Sequence, residues 1–204
     1  MKWSEKKMES SEKKRTVELK KAEVLQAATE LFSEKSYEAT TMSEIAKRAG
    51  VSFGSVASYY GNKESLFTRC VELPLKELSE SFLNFDLHPV SFADELQKMM
   101  KGHFELFQNM KVFLRLVVQV IAQHERFPNQ FNLVVEQTAF IQDEVTIFIQ
   151  NGQQAGQFRE GDASRLSIVY INLLFGTILS YAFRPSQEDE AEFISFAIRM
   201  FGPV

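Results

Sequence analysis

Apolar residues recur at intervals of three and four along almost the whole chain, the mark of helices with one buried face. Runs in which apolar and polar β-branched residues alternate between turn dipeptides do not occur in the sequence. The pattern predicts an all-α protein. Residues 1–16 are charged and carry no apolar stripe, which predicts a flexible basic arm or a frayed extension of the first helix. From Val17 to about Lys35, Val24, Leu25, Ala28, Leu31 and Phe32 form a single stripe.

Three start signals then follow closely. Thr41-Met42-Ser43-Glu44 has the form of a capping box, and Ser52 and Asn62 are further cap residues, each ahead of a compact amphipathic segment. A connecting helix is expected from residue 63 to about 84, bent at Pro74. Ser91 with Asp94 opens a helix to about Gln108, "KVFLRLVVQVIAQH" forms the next, and Phe127-Pro128 opens one that reaches about Gln154. Gly156 and Asp162 bracket a loop, a helix follows from Ala163 to Phe183, Pro185 stops it, and Ser186 starts the last.

Within "MSEIAKRAGVSFGSVASYY", Ile45, Ala46 and Ala49 face inward from one short helix and Val51, Val56 and Tyr60 from the next, with Gly50 at the turn. This is a helix-turn-helix pattern. Its outward surface, Phe53, Gly54, Ser55, Ala57 and Ser58, is built of small, hydroxyl and apolar groups that suit base edges and thymine methyls in a major groove. Thr41, Ser43 and Lys63 lie at helix N-termini, where free N–H groups and the helix dipole favour a phosphate. The same spacing also fits a helical hairpin that binds nothing.

Charge sharpens this picture. Residues 1–70 hold 13 of the 23 Lys and Arg but only 10 of the 27 Asp and Glu, so only the front third is net positive and suited to a polyanion. A lysine-rich head serves equally well as a solubilising tail. The single cysteine, Cys70, forms no intrachain disulfide, the N-terminus has no secretory h-region, and Ile168 to Phe183 is too short and interrupted to cross a membrane. A cytoplasmic protein is expected. His88, His103 and His124 are scattered, Cys70 has no local partner, and no phosphate-cradling loop or GxSxG elbow occurs, so neither an enzyme nor a metal or cofactor is expected.

Ala22 to Phe67 resembles the DNA-binding domain of TetR-type transcriptional regulators, whose pattern is "T(T/V)xxIAxxAGVSxGTxYxYFxNKExLF". The matching residues are Thr41, Ile45, Ala46, Ala49, Gly50, Val51, Ser52, Gly54, Tyr59, Asn62, Lys63, Glu64, Leu66 and Phe67. Tyr59 thereby joins the candidate DNA contacts. Ala57 stands where the family commonly has Tyr, and Phe53 replaces a residue that is often polar or basic, so the contact set departs from the usual one.

The resemblance implies an N-terminal three-helix helix-turn-helix domain, residues 17–67 with its last helix running on to about 84, and a larger ligand-binding and dimerisation domain over 68–204. It also implies a homodimer on double-stranded DNA. The helix from Ala163 to Phe183 is apolar almost all round and the last helix, with Phe193, Ile194, Ala197, Ile198 and Phe201, has the same character. Pairing of these two with their copies is expected, the alternative being a central core helix in a monomer.

Nineteen phenylalanines are many for this length. Phe104, Phe107, Phe113, Phe140, Phe148 and Phe175, with Met100, are candidates to surround a small, largely apolar effector, and His103, Glu144 and Asn172 to orient it, though such residues also build plain cores. The expected function is a ligand-responsive transcriptional regulator of the repressor type, released from a pseudo-palindromic operator by its effector. The alternative is a ligand-binding or scaffold protein with a vestigial helix-turn-helix.

Overall fold

The computed structural model describes residues 2–181 and 187–202, with side chains described for 12, 14–176, 191, 192, 194, 195 and 198–202. Helices occupy most of these residues and no strand occurs among them: α1 (Lys2–Ala39), α2 (Met42–Arg48), α3 (Phe53–Tyr60), α4 (Lys63–Phe82), α5 (Phe92–Asn109), α6 (Lys111–Ala122), α7 (Pro128–Gln154), α8 (Ala163–Tyr181) and α9 (Gln187–Phe201). Among the described residues no helix is long and apolar enough to cross a membrane. Helical backbone begins at Lys2 and not near Val17, so the basic segment prolongs α1. Pro74 lies inside α4 without ending it. The side chains of Ile178, Leu179, Tyr181, Phe193 and Ala197, and all of Phe183, Pro185 and Ser186, lie outside the described residues.

Two compact units form. The first comprises residues 1–74 and 112–131, so α6 and the start of α7 join it from far along the chain. α1 buries Val24, Ala28, Leu31 and Phe32, as its stripe requires. Its regular helix breaks at Ser36, where φ is 80° and ψ is 165°, and Tyr37–Ala39 add one further turn. The buried Thr40 hydroxyl donates to the Ser36 carbonyl at 2.8 Å and ties off this break. α6 covers the unit with Phe113, Leu116, Val117 and Val120, and Gln119 Nε2 donates to the Ser33 carbonyl at 3.2 Å. Gln130 Nε2 donates to Thr68 Oγ1 at 2.7 Å.

The second unit comprises residues 75–111 and 132–204. Its interior is a train of aromatic rings: Phe148 lies 5.4 Å from Phe85, 5.5 Å from Phe92 and 5.8 Å from Phe158, and Phe158 lies 6.2 Å from Phe201. These edge-on and tilted contacts fill the space between α5, α7 and α9. A Cβ at Gly152 would collide with the Phe158 ring, so α7 approaches the following loop as closely as a bare backbone allows.

Candidate nucleic-acid interface

α2 and α3 are each fixed by their own ends. The Thr41 hydroxyl accepts the Glu44 N–H at 3.2 Å, and the Glu44 carboxylate accepts the Thr41 N–H at 3.0 Å, the reciprocal capping box. Lys35 Nζ donates to the same carboxylate at 2.9 Å, and this bond together with those from Thr41 holds Glu44 down to about 2. Gly50 then takes φ 65°, a left-handed turn that side chains resist, and Ser52 caps α3 by accepting the Ser55 N–H at 3.1 Å. Val56 is fully buried beneath α3, and the Tyr60 hydroxyl donates to the Lys21 carbonyl of α1 at 2.8 Å. The far end of α3 is thereby anchored.

With that side pinned, the opposite side is open. Phe53 is 56% exposed, Gly54 and Ser58 are exposed, and Ala57 is half-buried beside them. Helical spacing puts these four on one strip of uncharged small and apolar groups. Ser55 is half-buried and its hydroxyl is 2.9 Å from that of Ser52, so it belongs to the cap as much as to the strip. Tyr59 is half-buried on the flank. Thr41 is exposed with its hydroxyl engaged by Glu44, and Ser43 is exposed.

Lys63 is held more tightly than its sequence position suggests. Its ammonium sits 4.4 Å from the centroid of the Tyr37 ring and donates to the Glu38 carbonyl at 3.3 Å. Arg126 pairs with Glu38 at 2.7 Å and lies over the Tyr37 ring at 5.8 Å from its centroid. The Glu38 carboxyl lies below its usual range through its own backbone N–H and, secondarily, Ser36, Arg126 and Lys63. Tyr37, Glu38 and Arg126 thus frame the start of α4, and sequence reasoning missed them because Arg126 is remote from the motif. Lys47, exposed in the last turn of α2, is a further cation beside the strip that the motif did not single out.

The effector candidates are distributed unevenly. Met100, His103, Phe104, Phe107 and Phe148 are buried in the second unit, and Phe175 is half-buried with its ring 5.2 Å from Phe107. Glu144 is half-buried on α7. Three differ from expectation: Phe113 is buried in the first unit, Phe140 is 49% exposed and Asn172 is exposed, since periodicity tells that a helix has an inner face without telling which neighbour covers it. His103 is the best-defined polar group of the interior. Nε2 is 2.6 Å from the Phe82 carbonyl, which can only accept, so Nε2 carries the proton, and Nδ1 accepts from the Tyr170 hydroxyl at 2.6 Å. Burial keeps the imidazole neutral, pushing it down to about 4, and pushes the Tyr170 phenol upward.

Residues 24–70 match the family described as bacterial regulatory proteins, tetR family. The uncharacterised HTH-type transcriptional regulator YhgD of Bacillus subtilis is 34% identical over 114 residues, 50% of this chain and 60% of its own length. The match therefore spans less than two-thirds of that relative. The fatty acid metabolism regulator protein of Bacillus subtilis is 24% identical over 159 residues, 76% of this chain and 78% of its own. The crystal structure of the TetR family transcriptional regulator PfmR from Thermus thermophilus superposes with a TM-score of 0.72 at 22% identity, covering 87% of this chain and 96% of that one.

Residues 24–70 form a domain of the TetR-family type.

The match takes in α2 and α3, the helix-turn-helix, and the relatives are described as transcriptional regulators. Residues 24–70 of the family match run from the first buried position of α1, Val24, to the fully buried Cys70 of α4, whose thiol burial pushes up to about 12. Cys70 is therefore a packing residue of this TetR-family domain, with no thiolate available at neutral pH.

Proposed function

We propose that this chain is a cytoplasmic, TetR-type transcriptional repressor that binds a pseudo-palindromic operator as a homodimer and is released by a small, largely apolar effector. The observation that carries the reading is the uncharged strip of Phe53, Gly54, Ala57 and Ser58, held outward by two capped helix starts and the Tyr60 anchor. Such a strip reads base edges, while Ser43, Thr41, Lys47 and the N–H groups at the start of α2 hold phosphates. Tyr59 and Lys63 support the strip from its flanks.

Two strips are needed to read two half-sites about 34 Å apart or a multiple of it. The exposed Ile168 (41%) and Val169 (47%) on α8 supply apolar surface for pairing with a second copy. The effector is assigned to the aromatic unit, where Met100, His103, Phe104, Phe107, Phe148 and Phe175 offer an apolar lining and Glu144 a polar edge. α4 ends at Phe82, whose carbonyl accepts from His103 of that lining. Complete switching requires the effector to prefer the released state by about 10⁴-fold.

The test is a duplex-binding titration across salt concentrations. A steep fall in affinity with salt and a preference for one palindromic sequence are expected. Binding that is weak, sequence-blind and equal with and without Ser58 would leave a ligand-binding scaffold with a vestigial helix-turn-helix.

A further inference from the structure

Besides its aromatic interior, the second unit has an open groove at its surface. The groove, of about 750 Å³, runs between α5 and α9, within the range of small-molecule sites. On the α5 side its wall is made of the exposed Gln97, Lys101 and Glu105. Ile194, buried, and Ile198, half-buried, form an apolar floor. Lys101 from α5 and Arg199 from α9, both exposed, are among its lining. Among the described residues neither has a carboxylate within 4.0 Å, and Arg199 makes only a 3.3 Å bond to the Ser195 hydroxyl. Glu105 lies one turn beyond Lys101 on the same wall and is not paired with it.

We propose that this groove binds an anionic amphiphile, a small molecule with an apolar body and one carboxylate. The apolar body lies on Ile194 and Ile198, and the carboxylate is held by Lys101 and Arg199, two cations of the lining that have no carboxylate partner among the described residues. Glu105 repels the head group from its own end and so fixes the direction in which the ligand lies. An uncharged or cationic molecule of the same shape gains no such bridge.

The groove also explains how occupancy would be felt, and this step rests on the repressor reading above. Lys101 and Glu105 flank His103 on α5, and the His103 ring holds the last residue of α4 through the Phe82 carbonyl and holds α8 through Tyr170. A ligand wedged between α5 and α9 rotates α5 and draws on the end of α4.

Dodecanoate, 1-dodecanol and dodecyltrimethylammonium, kept below the concentrations at which they self-associate, distinguish the possibilities when titrated calorimetrically into the full chain. Dodecanoate is expected to bind at least about tenfold more tightly than dodecanol, and the ammonium compound more weakly than either. In Lys101→Gln/Arg199→Gln, the preference for the carboxylate should vanish while dodecanol affinity holds, which also reports that the variant is folded. Equal affinity for all three probes overturns the proposal, as does a preference that survives the double substitution. A change in oligomeric mass of the variant, by light scattering, would overturn it too, assigning the groove to contact with another copy. Operator affinity is measured separately: if dodecanoate fails while sequence-specific duplex binding persists, the groove assignment falls and the regulator reading stands.

Discussion

The two units solve opposite problems. In the first, short helices are set by hydrogen bonds between near neighbours, Thr41 with Glu44 and Ser52 with Ser55, so that the outer strip of α3 can be left without structural duty. In the second, position is set by large rings from distant parts of the chain, Phe92, Phe148, Phe158 and Phe201, and almost nothing inside is idle. The difference teaches where change is tolerated. Substitution on the strip should alter what the molecule holds, and substitution among the rings should alter whether it holds together.

Placing a carboxylate on the strip tests the first half of that contrast most strongly. Ser58→Glu is expected to weaken duplex binding by about 100-fold, close to 3 kcal/mol, through repulsion of phosphates and loss of a base-edge hydroxyl. Its chemical-denaturation midpoint should remain within about 0.5 kcal/mol of the parent. An equal loss of stability would show that the strip is structural after all.

The second unit should respond to acid through His103. Its folded value of about 4 lies below the ordinary 6.5, so between these limits the unfolded chain binds a proton that the folded chain refuses. Its stabilising contribution is complete above about pH 6.5 and falls as pH drops toward 4, by up to about 3 kcal/mol. Urea unfolding of the parent and of His103→Gln at several pH values isolates this part, since the variant lacks the titrating group. Parallel pH profiles would refute the buried neutral imidazole.

Gly152→Ala sharpens the comparison at lower cost. The added methyl group meets the buried Phe158 ring, and a loss of about 1–3 kcal/mol in thermal or denaturant unfolding is expected with duplex affinity little changed. Smallest is Ser33→Ala. The Ser33 hydroxyl is buried without a partner, so its removal should be neutral or stabilising by up to about 1 kcal/mol, whereas a clear destabilisation would reveal a partner acquired in solution.

Features that depend on a few adjacent residues could be read from the chain. The capping box at Thr41, the Ser52 and Ser91 caps, the Gly50 turn and the outward strip of α3 all follow from local chemistry and helical period. The hold on Lys63 could not be read, because it depends on the Ser36 break that swings Tyr37 beneath the ammonium. Nor could the coverage of the first unit by α6, since Gln130 and Thr68 meet across 62 residues of sequence. Phe113, Phe140 and Phe148 look alike as letters on amphipathic helices, yet one is buried in the first unit, one is open to solvent and one is at the centre of the ring train. Sequence marks His103 by its polarity alone; what defines it is that both ring nitrogens are consumed.

That the first unit takes in residues 112–131 has a bearing on how the molecule is made. A ribosome adding about 5–20 residues each second needs several seconds to pass from the middle of α4 to the end of that segment. Throughout that interval the nascent DNA-binding helices stand with the seats of Val117, Val120 and Phe127 uncovered, greasy surface that a chaperone could grip. The front of this protein is translated first, yet it is finished only when the middle of the chain arrives.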